Sequence, residues 1–261
     1  MPRLVVALAA ALILGVGNLA RGRPSRPRAA PQNATPGSAP ISFDARGVSG
    51  LRALLTLGRA QHLPMGIRFV DRELAQKPID VSVKHATVTE AVRAIMRQER
   101  GYTWRLAPHF LTVDHVGAPR GRQNLLMAVI EDFNAPRASL QQDSNLLFMS
   151  LQLALRPGTT GFAGDYYPGR VRSFVPPLHV RRATVAGLLD TIVRAYGDAA
   201  WAAALPSCYM GQIPEGGLWQ VIDYRNDRDK GAAERIERRL EAYPCRSTVP
   251  ASRPPRSGRV R

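Results

Sequence analysis

Between Ile79 and His115 the apolar residues change from a strand period to a helix period and back. Ile79, Val81 and Val83 alternate with Asp80, Ser82 and Lys84, which predicts a half-buried strand. Thr87, Val88, Thr89 and Glu90 then spell a capping box: the threonine hydroxyl takes the Glu90 amide and the glutamate reaches back. Val88, Ala91, Val92, Ile95 and Met96 fall on one helical face, and Gly101 is placed to end the helix. Tyr102 to Leu106 and Phe110 to Val113 alternate again on either side of Ala107-Pro108-His109, which predicts two strands joined by a tight turn.

The pattern recurs. Ala86-Thr87-Val88 matches Ala183-Thr184-Val185, and Val92, Ile95 and Arg97 match Leu189, Ile192 and Arg194. Trp104 matches Trp201 with no gap between. A spacing held constant across a helix and a strand points to one unit present twice. Gly187 stands where Glu90 stands in the first copy, so the second helix should lack the reciprocal half of the box.

The rest of the chain fits around these two units. Ile41 to Asp44 reads as a short strand, and Val48 to Gln61 as a helix with Ser49 as its cap and Leu51, Leu54, Leu55 and Gly58 on its stripe. Ile67, Phe69 and Asp71 begin another strand. In the second half, Leu125 to Phe133 reads as a strand and Ser139 to Leu155 as a helix with Leu140, Leu147, Leu151 and Leu155 inward. Gly158 to Ser173 reads as a loop. Val175 to Arg181, the helix from Thr184, Ala199 to Ala204 and Leu218 to Tyr224 complete the copy. Lys230 to Tyr243 is a charged extra helix with Ala232, Ile236, Leu240 and Tyr243 available to pack. The expected fold is α+β: two small mixed-sheet units with two helices each, 41–116 and 124–225, each with a modest core, then a C-terminal helix, 226–245.

Leu51-x-x-Leu54-Leu55, Ile67-x-Phe69, Pro78-Ile79-x-Val81-x-Val83, Ala86-Thr87-Val88-x-Glu90-Ala91, Tyr102-x-Trp104 and Leu111-x-Val113 together resemble the STN domain. This is the short N-terminal module of secretins and TonB-dependent outer-membrane receptors. The resemblance covers Ile41 to His115, and covers Leu125 to Tyr224 more weakly, through the repeat. It implies docking of other periplasmic proteins through mixed sheets, with no catalytic residues and no cofactor. The stretch after Tyr224 is too short for a secretin ring or a receptor barrel. A free-standing adaptor, tied to secretion or to outer-membrane transport and signalling, is what the resemblance implies.

The ends of the chain add an address. Met1-Pro2-Arg3 precedes an uncharged apolar run from Leu4 to Gly17, shorter than the roughly 20 residues a membrane span needs. It reads as a signal peptide over 1–20 for export to the periplasm, with an uncleaved inner-membrane anchor as the other reading. Residues 21–40 and 246–261 are rich in Arg, Pro, Ala and Ser without apolar periodicity, and read as a disordered linker and tail.

The formal net charge is +16. Lys77, Lys84 and Lys230 are the only lysines, so the excess is arginine, a bias that a GC-rich genome also produces. Much of it lies in the two ends, and Arg97, Arg100, Arg105 and Arg120 are scattered. The charge could mean nucleic acid, anionic lipid or an acidic partner, but the scatter and the lack of a zinc finger, basic zipper or aromatic RNA-binding motif argue against nucleic acid. It favours contact of the tails with phosphates of anionic lipid or lipopolysaccharide, which guanidinium forks match.

Candidate chemistry is sparse. Cys208 and Cys245 make an even count, which in an exported chain favours a disulfide worth about 3–4 kcal/mol in the chain-entropy model. His62, His85, His109, His115 and His179 show no metal-ligand spacing. Asp114 and His115 are neighbours on a strand, so they point to opposite faces and do not share a site. Nucleophile-elbow and phosphate-loop motifs are absent. Trp104 and Trp201, equally placed in the repeat, read as core. Tyr166, Tyr167 and Trp219 are the candidate partner contacts, since aromatics on a loop can anchor a partner. The sequence therefore points to a periplasmic protein–protein interaction module without catalytic activity. The alternative is a small-molecule or glycan binder using a groove between the units.

Overall fold

The chain opens with β1 (Ile41–Ser49), which runs without a loop into α1 (Gly50–Ala60). Ser49 makes that junction, its hydroxyl accepting from the Arg52 amide at 3.3 Å. The structure, a computed structural model, describes residues 40–119, 124–155, 173–204, 219–226 and 231–242. After α1 come β2 (Met65–Val70), a short α2 (Arg72–Gln76), β3 (Pro78–Ala86), α3 (Val88–Met96), β4 (Tyr102–Ala107) and β5 (Phe110–His115). The second half runs β6 (Val129–Ala135), α4 (Leu140–Leu155), β7 (Leu178–Thr184), α5 (Val185–Tyr196), β8 (Ala199–Ala204) and β9 (Trp219–Asp223), and α6 (Ala232–Ala242) follows.

Three local expectations are corrected. Asp71 does not continue a strand: its carboxylate accepts from the Leu74 amide at 2.8 Å and so starts α2. Leu125–Met127 forms a 3-10 turn, so the strand expected from Leu125 begins at Val129. Leu155 is 42% exposed rather than inward, because the buried stripe of α4 ends at Leu151.

The duplication extends to the backbone. β1 pairs antiparallel with β3 as β6 does with β7, and β4 pairs antiparallel with β5 as β8 does with β9. His85 (φ 51°) and Arg182 (φ 48°) take the same unusual left-handed conformation just before the two Ala-Thr-Val turns, and both are exposed. Thr87 and Thr184 then cap α3 and α5. The Thr87 hydroxyl accepts from the Glu90 amide at 3.2 Å, and the Glu90 carboxylate accepts from the Thr87 amide at 2.7 Å. These bonds hold the Glu90 carboxyl below the usual carboxylate range. In the second copy the Thr184 hydroxyl accepts from the Gly187 amide at 3.1 Å, and Gly187 has no side chain to reciprocate. The segment between α4 and β7, where a counterpart of β2 would fall, lies outside the described residues except for its last few.

The class is α+β, but the halves are not two separate mixed-sheet units. Their strands form one five-stranded sheet in the order β4-β5-β2-β8-β9, flanked by the two-stranded sheets β1-β3 and β6-β7. β2 is the seam, parallel to β5 on one side and to β8 on the other. Each half covers one face of the shared sheet. Met65, Ile67, Leu111, Val113, Ala200, Ala202 and Ile222 join the core closed by α1, α3 and the β1-β3 pair. Phe110, Ala199, Trp201, Ala203, Trp219 and Val221 join the core closed by α4, α5 and the β6-β7 pair. Strands apolar on both faces are what a sheet buried on both sides requires. A bulge in β2 helps serve both: Phe69 (φ 65°) turns into the second core while Val70 stays in the first.

α6 returns to the first core, burying Ala232, Ala233, Ile236 and Leu240. Arg52 fixes it there through Glu237 at 3.2 Å and Glu234 at 3.1 Å. Tyr224 also enters this core, its hydroxyl donating to the Leu63 carbonyl at 3.1 Å. That hydroxyl and the Met65 methyl leave no room for a Cβ on Gly58. Alanine in a helix interior ordinarily gains up to about 1 kcal/mol over glycine. Here the overpacking costs about 1–3 kcal/mol. Gly58→Ala should therefore lower the urea midpoint, and a raised midpoint would show that Met65 and Tyr224 give way.

Candidate interaction surface and buried polar sites

The duplicated hairpins end in different surroundings. In the second half, the outer edge of β8 is taken by β2, with Gly66 opposite Trp201 and Ile67 opposite Ala202. Trp201 is fully buried. Its indole donates to Asp190 of α5 at 2.8 Å, and the other oxygen of Asp190 accepts from Arg68 of β2 at 2.8 Å. Arg68 also donates to Asp114 of β5 at 3.3 Å. Burial pushes the Asp190 carboxyl up, against the opposing pull of Arg68 and the Trp201 indole. A strand, a helix and a tryptophan thus hold the seam through one ionic and hydrogen-bonded joint.

In the first half the corresponding edge is open. β4 ends the sheet, and among the described residues no strand pairs with its outer side. Trp104, the counterpart of Trp201, is only half buried, and Thr103 and Arg105 on the other face are exposed. The core reading for the two tryptophans thus fits Trp201 fully and Trp104 in part, because β2 covers the one and no described strand covers the other. On α3, Arg93 and Arg97 occupy the positions held by Asp190 and Arg194 on α5. Glu90, Arg93, Ala94 and Arg97 form the outer face of α3 and, with Val83 to Ala86 at the end of β3, line an open concavity of about 430 Å³. This concavity lies on the first half, not between the halves.

A second polar cluster ties α2 to the β4-β5 hairpin. One oxygen of Asp71 accepts from the Leu74 amide at 2.8 Å and from the Tyr102 hydroxyl at 2.9 Å, and the other lies 3.2 Å from His115 Nε2. The Gly117 amide donates to His115 Nδ1 at 2.9 Å, which leaves the proton on Nε2, facing Asp71. The Tyr102 hydroxyl accepts from the Asp71 amide at 2.8 Å, and burial pushes its pKa far up. These groups are engaged with one another and with the backbone, so they cap and brace rather than offer a nucleophile. His115 joins Asp71 while Asp114 joins Arg68, so the two neighbours serve different clusters.

Two buried acids stand apart. Glu99 is 1% exposed beneath the first turn of α1, and Asp143 of α4 is fully buried. Among the described residues, neither carboxyl has a hydrogen-bond partner on either oxygen. Burial pushes both up to about 7. Sequence reading passed over both, although Asp143 breaks the apolar stripe at the i+3 position from Leu140, a visible signal. The joint of Asp190 with Arg68 was also missed. Its one sequence trace is the charge reversal between Arg93 and Asp190 at equal places in the repeat.

Of the residues singled out from sequence, Trp219 is corrected: it is 7% exposed in the second core, donating to the Ser144 hydroxyl at 2.9 Å and meeting Phe148 edge-on at 5.8 Å. It therefore offers no free ring to a partner. Tyr166, Tyr167, Cys208 and Cys245 lie outside the described residues. Among the described residues, no group of three or more His, Cys, Asp or Glu is placed to hold a metal, and no helix is long and apolar enough to cross a membrane. No family model matches the chain, and neither does any curated protein or solved structure.

Proposed function

We propose that this chain is a periplasmic protein–protein interaction module with no chemistry of its own, working beside secretion or outer-membrane transport and signalling. The observation that carries the reading is the open outer edge of β4, a hydrogen-bonding strand edge beside a half-buried tryptophan. Exposed edges of this kind recruit extended segments by strand addition. The resemblance of 41–116 to the STN domain, the apolar leader over 1–20 and the recurrence of the unit in the second half support the same reading. Arg21 to Arg28 and Arg246 to Arg261 would add contact with lipid or lipopolysaccharide phosphates. The open, charge-lined concavity on the first half lacks the enclosed apolar walls that a small-molecule site needs, so the glycan or ligand reading gains nothing from it.

The test is recovery of a partner. The tagged protein, expressed with its leader in a Gram-negative host and crosslinked in the periplasm, should bring down a defined envelope protein in stoichiometric yield. A mature protein found in the cytoplasm, or one that recovers no envelope protein under several growth conditions, would remove the proposal.

A further inference from the structure

The second half shows what the edge of this hairpin accepts. A parallel strand lies against β8, a glycine sits under the tryptophan, and the residue two places on pairs with the helix above. Gly66 is small by necessity: a Cβ there would stand 2.6 Å from the Trp201 indole nitrogen and 2.7 Å from Asp190. Arg68 is basic because Asp190 faces it. Residues 65 and 67, on the other face of β2, enter the first core, which covers that side of the sheet.

The first half keeps the receptor and, among the described residues, lacks the strand. β4 is the counterpart of β8, Trp104 of Trp201, and Arg93 of Asp190, all at one offset along the chain. The charge on the helix is reversed, and Arg93 is exposed; its charge acts on the Glu90 carboxylate three residues back on α3, which is itself engaged by the Thr87 amide and hydroxyl. Next to Trp104 along the strand, the exposed Arg105 replaces Ala202.

We propose that the outer edge of β4 docks an extended segment of a partner protein, added parallel to β4, with a small residue opposite Trp104 and an acidic residue two places on facing Arg93. The residue between them lies beside Arg105 and is acidic or polar. The inference rests on reading the chain as an interaction module and names that module's contact. The chain's own ends are poor occupants: Arg21, Arg23, Arg26 and Arg28 on one side, and Arg246, Arg253, Arg256, Arg259 and Arg261 on the other, come with no acid among residues 21–40 or 246–261. Basic tails would meet Arg93, Arg97 and Arg105 as like charges.

The experiment uses the mature protein and fluorescein-labelled peptides containing Ser-Gly-Glu-Asp-Val, followed by anisotropy and by quenching of tryptophan emission. The acidic peptide should bind. A version with Lys in place of Asp should bind at least tenfold more weakly, and one with Leu in place of Gly should fail against Trp104. Arg93→Asp should reverse the preference between the Asp and Lys peptides. Arg93 is exposed, so this variant keeps its fold, which circular dichroism checks. Two peptides N-methylated at alternate amides separate strand addition from simple charge attraction: one of the two should lose binding and the other keep it.

Equal binding of both N-methylated peptides, unchanged preference in Arg93→Asp, or no binding of the acidic peptide at about 1 mM would each overturn the assignment. A dimer of the free protein that buries β4 would do the same. An envelope partner captured equally by the wild type and by Arg93→Asp would sink this edge while leaving the interaction reading intact. Capture of none by either protein would count against the reading itself.

Discussion

At about pH 8, Glu99→Gln and Asp143→Asn should each stabilise the protein by ~1–3 kcal/mol, and at about pH 3, below both unfolded values, each should change little. Both acids are buried with no hydrogen-bond partner among the described residues, and burial, against the pull of Lys77 at Glu99, lifts Glu99 from 4.5 and Asp143 from 3.8 to about 7. A carboxyl whose folded pKa exceeds its unfolded value binds its proton more tightly in the native state. Its penalty is absent below the unfolded value and grows as the pH rises from there towards 7. One pKa unit is worth 1.36 kcal/mol, so the full shift at Glu99 bounds its penalty at about 3 kcal/mol. The wild type should therefore lose urea resistance between about pH 4 and 7, opposite to the ordinary carboxylate trend. The double variant should flatten that slope. A wild-type midpoint that rises across this window, or variants that weaken the protein at pH 8, would show that both acids find partners in solution.

How much of this was legible in the sequence differs from one feature to the next. The Thr87 capping box, the Ser49 cap, the stripe of α3 and the hairpin at Pro108-His109 follow from local spacing alone, and each is found where the spacing puts it. The duplication was legible for the same reason, down to the lost glutamate at Gly187. What local spacing does not encode is which partner a strand finds. Ile67, Phe69 and Asp71 look like one strand of a small sheet. The other face of β2 is occupied by Gly66 and Arg68, and by Phe69 only through the bulge, and a glycine and an arginine read more readily as an exposed face. The alanine-rich run of β8 likewise conceals a strand buried on both sides. Trp219 was read as an aromatic able to anchor a partner although it falls in the strand expected over Leu218 to Tyr224, and nothing in the local pattern tells of the Ser144 hydroxyl that its indole meets. The candidate edge at β4 needed both halves side by side, because its openness is visible only against the occupied edge of β8.

Gly66→Ala should cost about 3–5 kcal/mol and unfold the two halves together. The added methyl would meet the Trp201 ring and the Asp190 carboxylate within 3 Å, and neither can retreat freely. Trp201 is fully buried, and Asp190 is held by the indole on one oxygen and by Arg68 on the other. Overpacking of about 1–3 kcal/mol adds to the loss of a buried hydrogen bond to a charged group, about 1.5–3 kcal/mol. Such a loss takes a large part of the 5–15 kcal/mol that holds a typical domain. Gly101→Ala is the control, since the nearest atom to its new methyl, on His115, is 3.8 Å away. The readout that matters is coupling. In a Trp104→Phe background, which removes the tryptophan packed against the first core, Trp201 and Trp219 report on the second core, and the Tyr102 ring, packed edge-on to His115 at 4.9 Å, reports on the first. Because β2 carries residues of both cores on one backbone, displacing it at Gly66 should shift both signals to the same lower urea midpoint. If only the tryptophan signal moved while the tyrosine signal kept its wild-type midpoint, the halves would be independent domains, and the seam at β2 would not be what joins them.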